Sequence, residues 1–283
     1  MKLKIHNTSL TATFTTKGAE LTSLTDAEGR EYIWQGDPEY WSKHAPVLFP
    51  VVGTLKNNTY THKGNTYTLP RHGFARDYDF NITVQEDSSI TFALLSNDAT
   101  KAVYPFDFEL QIKYTLVDKK LEVVYTVHNR SDEKMPFSLG AHPAFALPDG
   151  LENYNLKFEK DEHLISNRLE DGLISDTQVY ITLNNRKLPL EYSLFKNDAL
   201  VFKKIKSDYV GVAKGVTKFI KVNMGNFPNL GIWTKLNAPF ICIEPWQGYA
   251  DTLSANGNIF DKEGILVLEK DGKTSKNYDI EIL

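Results

Sequence analysis

Residues 108–128 carry a period-two alternation that only extended backbone can use. Phe108, Leu110, Ile112, Tyr114 and Leu116 recur at every second position, with Glu109, Gln111, Lys113 and Thr115 between them. Successive side chains of a strand point to opposite faces, so this spacing gives one apolar and one polar face. On a helix the same residues would scatter around the axis. After Asp118-Lys119-Lys120, the run Leu121-Glu122-Val123-Val124-Tyr125-Thr126-Val127-His128 resumes the pattern. Two such runs joined by a short polar turn predict a β-hairpin. Comparable runs predict strands at 9–14, 20–25, 82–84, 90–94, 155–158, 200–203, 218–222, 230–234, 241–244 and 264–268. Turn residues punctuate them at Glu28-Gly29, Lys63-Gly64-Asn65 and Asp271-Gly272.

Helical signals are brief. Asp37-Pro38-Glu39-Tyr40-Trp41 reads as one turn, with Asp37 as N-cap and Pro38 where its missing N–H costs nothing. A second helix is expected at 97–104, stopped by Pro105. No repeat, linker or βαβ rhythm divides the chain. The expectation is an all-β fold, a large antiparallel β-sandwich with few short helices, in a single domain over 1–283. A hydrophobic share of 41%, with 14 Tyr, 16 Phe and 4 Trp, is enough for such a core and leaves aromatics to stack on a sugar ring.

Charge narrows the partners. The 32 Lys+Arg against 36 Asp+Glu give a net charge of −4, without the concentrated basic face that nucleic acid or a membrane surface needs. A small-molecule partner is expected, and a homodimer is left open. Cys242 is the one cysteine, so no intrachain disulfide can form. The first residues lack the apolar run of a signal peptide, and a cytoplasmic location is expected.

Four stretches break the alternation and gather polar or aromatic residues, which is where functional sites tend to violate local rules. Ala45-Pro46-Val47-Leu48-Phe49-Pro50-Val51-Val52-Gly53-Thr54-Leu55-Lys56 suggests an irregular wall leading to a loop. A structural bend explains most of it equally well, and Lys56 is its one candidate ligand contact. Pro70-Arg71-His72-Gly73-Phe74-Ala75-Arg76-Asp77 sets a histidine between two arginines, which lowers its pKa, while Gly73 permits close backbone approach. A surface turn is the alternative there. Ser138-Leu139-Gly140-Ala141-His142-Pro143-Ala144-Phe145 holds His142 in an apolar setting, where a lone histidine is more often a hydrogen-bonded core residue than a catalyst. Phe240-Ile241-Cys242-Ile243-Glu244-Pro245-Trp246 ends an apolar strand on Glu244, the strongest catalytic candidate, because a buried carboxylate is costly unless paired or working. Trp246 is placed to shield a pocket or stack on a ring.

His72, His142 and Glu244 have the residue types of a two-histidine, one-carboxylate metal site, but no HxH, HxD or HExxH spacing accompanies them. No metal and no cofactor are expected. A serine hydrolase is disfavoured by the missing G-x-S-x-G elbow.

Together these stretches resemble the aldose 1-epimerase (galactose mutarotase-like) family, in particular its bacterial branch related to the lactose-operon X protein. The resemblance runs nearly end to end. It includes Gly18-Ala19-Glu20-Leu21, Tyr32-Ile33-Trp34-Gln35-Gly36-Asp37, Leu48-Phe49-Pro50, Arg71-His72-Gly73-Phe74-Ala75-Arg76, Gly140-Ala141-His142-Pro143-Ala144-Phe145, Asn197-Asp198-Ala199-Leu200 and Glu244-Pro245-Trp246. It implies a β-supersandwich with an open cleft and cofactor-free interconversion of the α and β anomers of an aldohexose. By that resemblance Glu244 is the general base on the anomeric hydroxyl and His142 the general acid on the ring oxygen. His72 would then hydrogen-bond the reacting oxygens, and Asp198 would hold sugar hydroxyls. Where the family carries a sugar-clamping arginine near 53–58, this chain has Gly53-Thr54, so Lys56, Arg71 or Arg76 is expected in its place. Three other readings remain: a non-catalytic carbohydrate-binding protein, a hexose-6-phosphate mutarotase, and a glycosidase or lyase. The last usually needs two carboxylates, and only Glu244 has a convincing setting.

Overall fold

The alternating hairpin lies inside a nine-stranded antiparallel sheet. The computed structural model describes residues 3–283. Strands Phe108–Val117 and Lys120–Asn129 pair from Val117 opposite Lys120 to Asn129 opposite Phe108, leaving Asp118 and Lys119 as the turn. Asp118 takes φ 50°, the left-handed conformation that a two-residue hairpin turn demands and that aspartate tolerates. The predicted apolar positions are the buried ones. Phe108 through Leu116 and Leu121 through Val127 bury every second side chain in the main core.

The second large sheet has eight strands. At its centre, Phe240–Gln247 is buried at every position, unlike the hairpin. Its two faces go to different places. Ile241 and Ile243 join the main core, as do Leu230 and Ile232 from the neighbouring Asn229–Trp233 strand. Phe240, Cys242 and Trp246 belong instead to two smaller apolar clusters on the opposite face. One face of this sheet therefore builds the sandwich and the other builds a cleft.

The expected helix is present as Asp98–Val103, closed by a capping box in which Asn97 Oδ1 accepts from Thr100 N at 3.0 Å and Thr100 Oγ1 from Asn97 N at 2.9 Å. The Asp37 turn forms too, with Trp41 N donating to Asp37 O at 2.9 Å. Every expected strand is found, though the one at 264–268 shortens to Leu266–Leu268 and pairs with Met135–Phe137 outside both large sheets. Lys273–Ile282, ten residues between Thr217–Asn223 and Lys120–Asn129, escaped the sequence reading. Its first half is Lys-Thr-Ser-Lys-Asn and only Tyr278, Ile280 and Ile282 are buried, so half of its alternation is polar on both faces.

Candidate active site

The candidate site sits on a broken strand. Gly140 is opposite Trp246, and Ala144 is opposite Cys242, across the Phe240–Gln247 strand. Midway between these pairings, antiparallel register sets His142 opposite Glu244, and Pro143, lacking an N–H, interrupts the ladder beside it. His142 Nε2 stands 3.2 Å from Glu244 Oε2. Both residues are buried. Neither Glu244 oxygen accepts an aligned hydrogen bond from the described residues, and His142 Nδ1 is likewise unpartnered. The 3.2 Å approach is a close electrostatic contact between two groups short of partners.

Burial governs their protonation. It pushes the Glu244 carboxyl well above its usual range and pulls the His142 imidazole down to about 3. Both shifts favour the uncharged form of each group.

Trp246 fills the floor beside them. A Cβ on Gly140 would lie 2.7 Å from Trp246 Cδ1, and one on Gly231 would lie 2.4 Å from Cζ2. Only glycine on both flanking strands lets the indole lie across the sheet. Trp41 covers the pair from above: its ring stacks on His142 at 4.9 Å with 29° between planes, and Trp233 meets the same imidazole edge-on at 5.9 Å.

The polar wall comes from the Arg71–Asp77 stretch. His72 holds φ 70°, and Gly73 packs so closely that a Cβ there would be 2.2 Å from Phe49 O. The Gly53 N–H donates to His72 Nδ1 at 3.1 Å, and Arg71 Nε–H donates to His72 Nε2 at 3.2 Å, so both ring nitrogens face a donor. The His72 pKa falls well below its usual value, mainly through burial and then through Arg71. Its direction agrees with the sequence reading, which had credited the arginines alone. Arg71 makes a two-pronged pair with Asp198, at 2.8 and 3.2 Å. Burial opposes ionisation of Asp198, but its bonds to Arg71 more than compensate and leave its pKa lowered. Arg76 donates to Arg71 O at 2.8 Å, and its Nε is buried without a hydrogen-bond partner.

Arg71, Arg76, His72, His142, Asp198, Glu244 and Trp246 thus line one cleft of about 400 Å³. Lys56 does not join them. Its ammonium donates to Leu253 O at 2.7 Å and Ala255 O at 3.3 Å, fastening a different loop. Thr54 packs against Gly172. Of the three candidates for the missing clamp, the structure brings Arg71 and Arg76 to the cleft. Trp41, Trp233 and Ala199, also in its lining, had no role in the sequence reading. Trp233 was legible in principle, since it alternates with Leu230 and Ile232 onto the opposite sheet face. Trp41 was not, because a turn carries no facial periodicity.

Such a sandwich, with a titratable pair sunk in an aromatic cleft, is a galactose mutarotase-like architecture. A galactose mutarotase related enzyme from Lactobacillus acidophilus superposes with a TM-score of 0.95 at 34% identity, over 100% of this chain and 97% of that one. A galactose mutarotase-like protein from Lactobacillus casei gives 0.92 at 30%, over 100% of both chains. The plasmid-encoded protein LacX of Lactococcus lactis subsp. lactis is 36% identical, with 100% of both chains aligned. The aldose 1-epimerase family model matches residues 1–266, and the chain belongs to that family. Among the described residues no helix is long and apolar enough to cross a membrane.

Proposed function

We propose that this protein is an aldose 1-epimerase acting on a free aldohexose, in one domain and in the cytoplasm. The observation that carries this reading is the His142–Glu244 pair, 3.2 Å apart at the cleft floor. Mutarotation removes a proton from the anomeric hydroxyl and delivers one to the ring oxygen. Both oxygens are on one carbon, so acid and base must be close together and share a proton rather than consume one. Proton transfer from the Glu244 carboxyl to His142 produces carboxylate and imidazolium. Glu244 then takes the C1 hydroxyl proton while His142 protonates the ring oxygen, and the C1–O5 bond opens. Rotation about C1–C2 exposes the other carbonyl face, and the reversed transfers close the ring. Each group contributes about 10²–10⁴ in rate.

The remaining side chains position the sugar. His72 hydrogen-bonds a reacting oxygen, Asp198 accepts sugar hydroxyls while fixed by Arg71, and Trp233 offers an apolar face to the ring. A purely binding protein needs no acid–base pair. A second reading, mutarotation of a 6-phosphorylated hexose, draws on Arg76, whose Nε has no hydrogen-bond partner. Polarimetry on a panel of free and 6-phosphorylated hexoses tests both. Accelerated equilibration of a free hexose is expected. Rates at the uncatalysed level for the whole panel would overturn the enzyme assignment.

A further inference from the structure

Beneath the cleft floor lies a third group that epimerisation does not use. Cys242 precedes Glu244 by two residues on the same strand, so both side chains leave the same face of the sheet. The thiol is fully buried and is the chain's one cysteine. A ring nitrogen of His142, Cys242 Sγ and a Glu244 carboxylate oxygen all lie within 4.8 Å of one another. Around a tetrahedral zinc ion, with bonds of about 2.0–2.3 Å, such atoms stand about 3.3–3.6 Å apart. The His142–Glu244 edge, at 3.2 Å, is already close to that length. The other edges need only side-chain adjustment toward a common centre. Glu244 has two unpartnered buried oxygens aimed into this space, which supplies an anionic ligand without breaking an existing hydrogen bond.

We propose that His142, Cys242 and Glu244 form an inhibitory site for a thiophilic divalent cation of the zinc type. Imidazole, thiolate and carboxylate together suit zinc or cadmium and disfavour magnesium and calcium, which seek oxygen ligands. Three protein ligands leave a fourth position open to the cleft. On binding, the thiol releases its proton to solvent, the metal–sulfur bond forms, and the carboxyl proton of Glu244 is also displaced. The ion therefore occupies the lone pairs that acid–base catalysis requires. His142 Nδ1 has no partner among the described residues, unlike the histidines of dedicated zinc centres, whose second nitrogen is hydrogen-bonded. This is a site for reversible inhibition and not for a resident cofactor. Metal binding stands on the geometry alone; its inhibitory effect rests on the acid–base reading of the pair.

Cobalt(II) and zinc(II) salts are the probes. Metal-stripped wild-type protein titrated with cobalt should develop a thiolate-to-cobalt charge-transfer band and intense visible bands of tetrahedral coordination, at one ion per chain. Zinc should abolish the cobalt spectrum, and in calorimetry it should bind while magnesium does not. Cys242→Ser and Cys242→Ala should lose the charge-transfer band, keep mutarotation, and bind zinc at least about 10–100-fold more weakly. Zinc should inhibit the wild type and a chelator should restore it. Retained activity in either variant certifies its fold. A cobalt spectrum without the thiolate band, or equal zinc affinity in wild type and variants, would overturn the proposal. If no sugar is turned over, the epimerase reading fails while the spectra still decide the metal site.

Discussion

Two buried acid–base pairs occupy this molecule, and they are satisfied to opposite degrees. Lys262 and Asp251 are 2% and 6% exposed and 2.9 Å apart. Lys262 Nζ also donates to Tyr249 O at 2.6 Å, and Asp251 Oδ2 accepts the Lys56 N–H at 2.9 Å. His142 and Glu244 are 9% and 1% exposed and nearly as close, yet three of their four polar side-chain atoms lack hydrogen-bond partners. Burial is equal and satisfaction is not. A structural pair is solvated by the protein that surrounds it. The candidate catalytic pair is left with open valences, which substrate oxygens can occupy at the floor of the cleft.

The largest expected effect separates the two pairs by activity. Glu244→Gln and His142→Asn should each slow mutarotation by about 10²–10⁴ while sugar binding changes far less. Their melting temperatures should stay near that of the wild type, because neither change removes a side-chain hydrogen bond that the fold makes. Wild-type rates in both variants would break the assignment.

Lys262→Met should do the reverse. It leaves Asp251 buried without its cation, a change that typically destabilises by about 3–5 kcal/mol, read by urea denaturation. Activity per folded molecule should be unchanged. A variant as stable as the wild type would mean that the Lys262–Asp251 pair is not the strut its hydrogen bonds describe.

Smaller effects sharpen the picture of the catalytic pair. Trp41→Leu removes the stack on His142, an interaction of about 0.5–1.5 kcal/mol, so kcat should fall up to about tenfold with KM nearly constant. A rise in KM alone would reassign Trp41 to sugar contact. The smallest difference is expected for Arg76→Ala. Its bond to Arg71 O makes it a strut of the cleft wall, so free and 6-phosphorylated hexoses should suffer alike. A phosphate contact of about 1.5–3 kcal/mol would instead penalise the phosphorylated sugar more than tenfold, and that outcome would promote the second reading.

Local sequence rules accounted for the strands and turns that follow them. The hairpin at 108–129, the Asn97 cap and the Asp37 turn all depend on neighbours within a few residues, and they form as expected. Lys273–Ile282 was missed because its first half, Lys-Thr-Ser-Lys-Asn, pairs on one side and carries no apolar alternation, which leaves only Tyr278, Ile280 and Ile282 as a signal. Lys56 was drawn toward the cleft by its nearness in sequence to Gly53, whereas its ammonium fastens the 253–255 carbonyls.

The sequence by itself determined the all-β class and the stretches that carry chemistry, because alternation, caps and clustered polar residues are local properties. It also singled out Glu244, since a carboxylate ending an apolar strand must be explained. Only the tertiary structure decided which residues meet. His142 faces Glu244 through antiparallel register between segments about a hundred positions apart, and Arg71 finds Asp198 across a still longer interval. Trp41 entered the site for the same reason: its place over His142 is set by how the chain packs, and no local pattern in its turn encodes it.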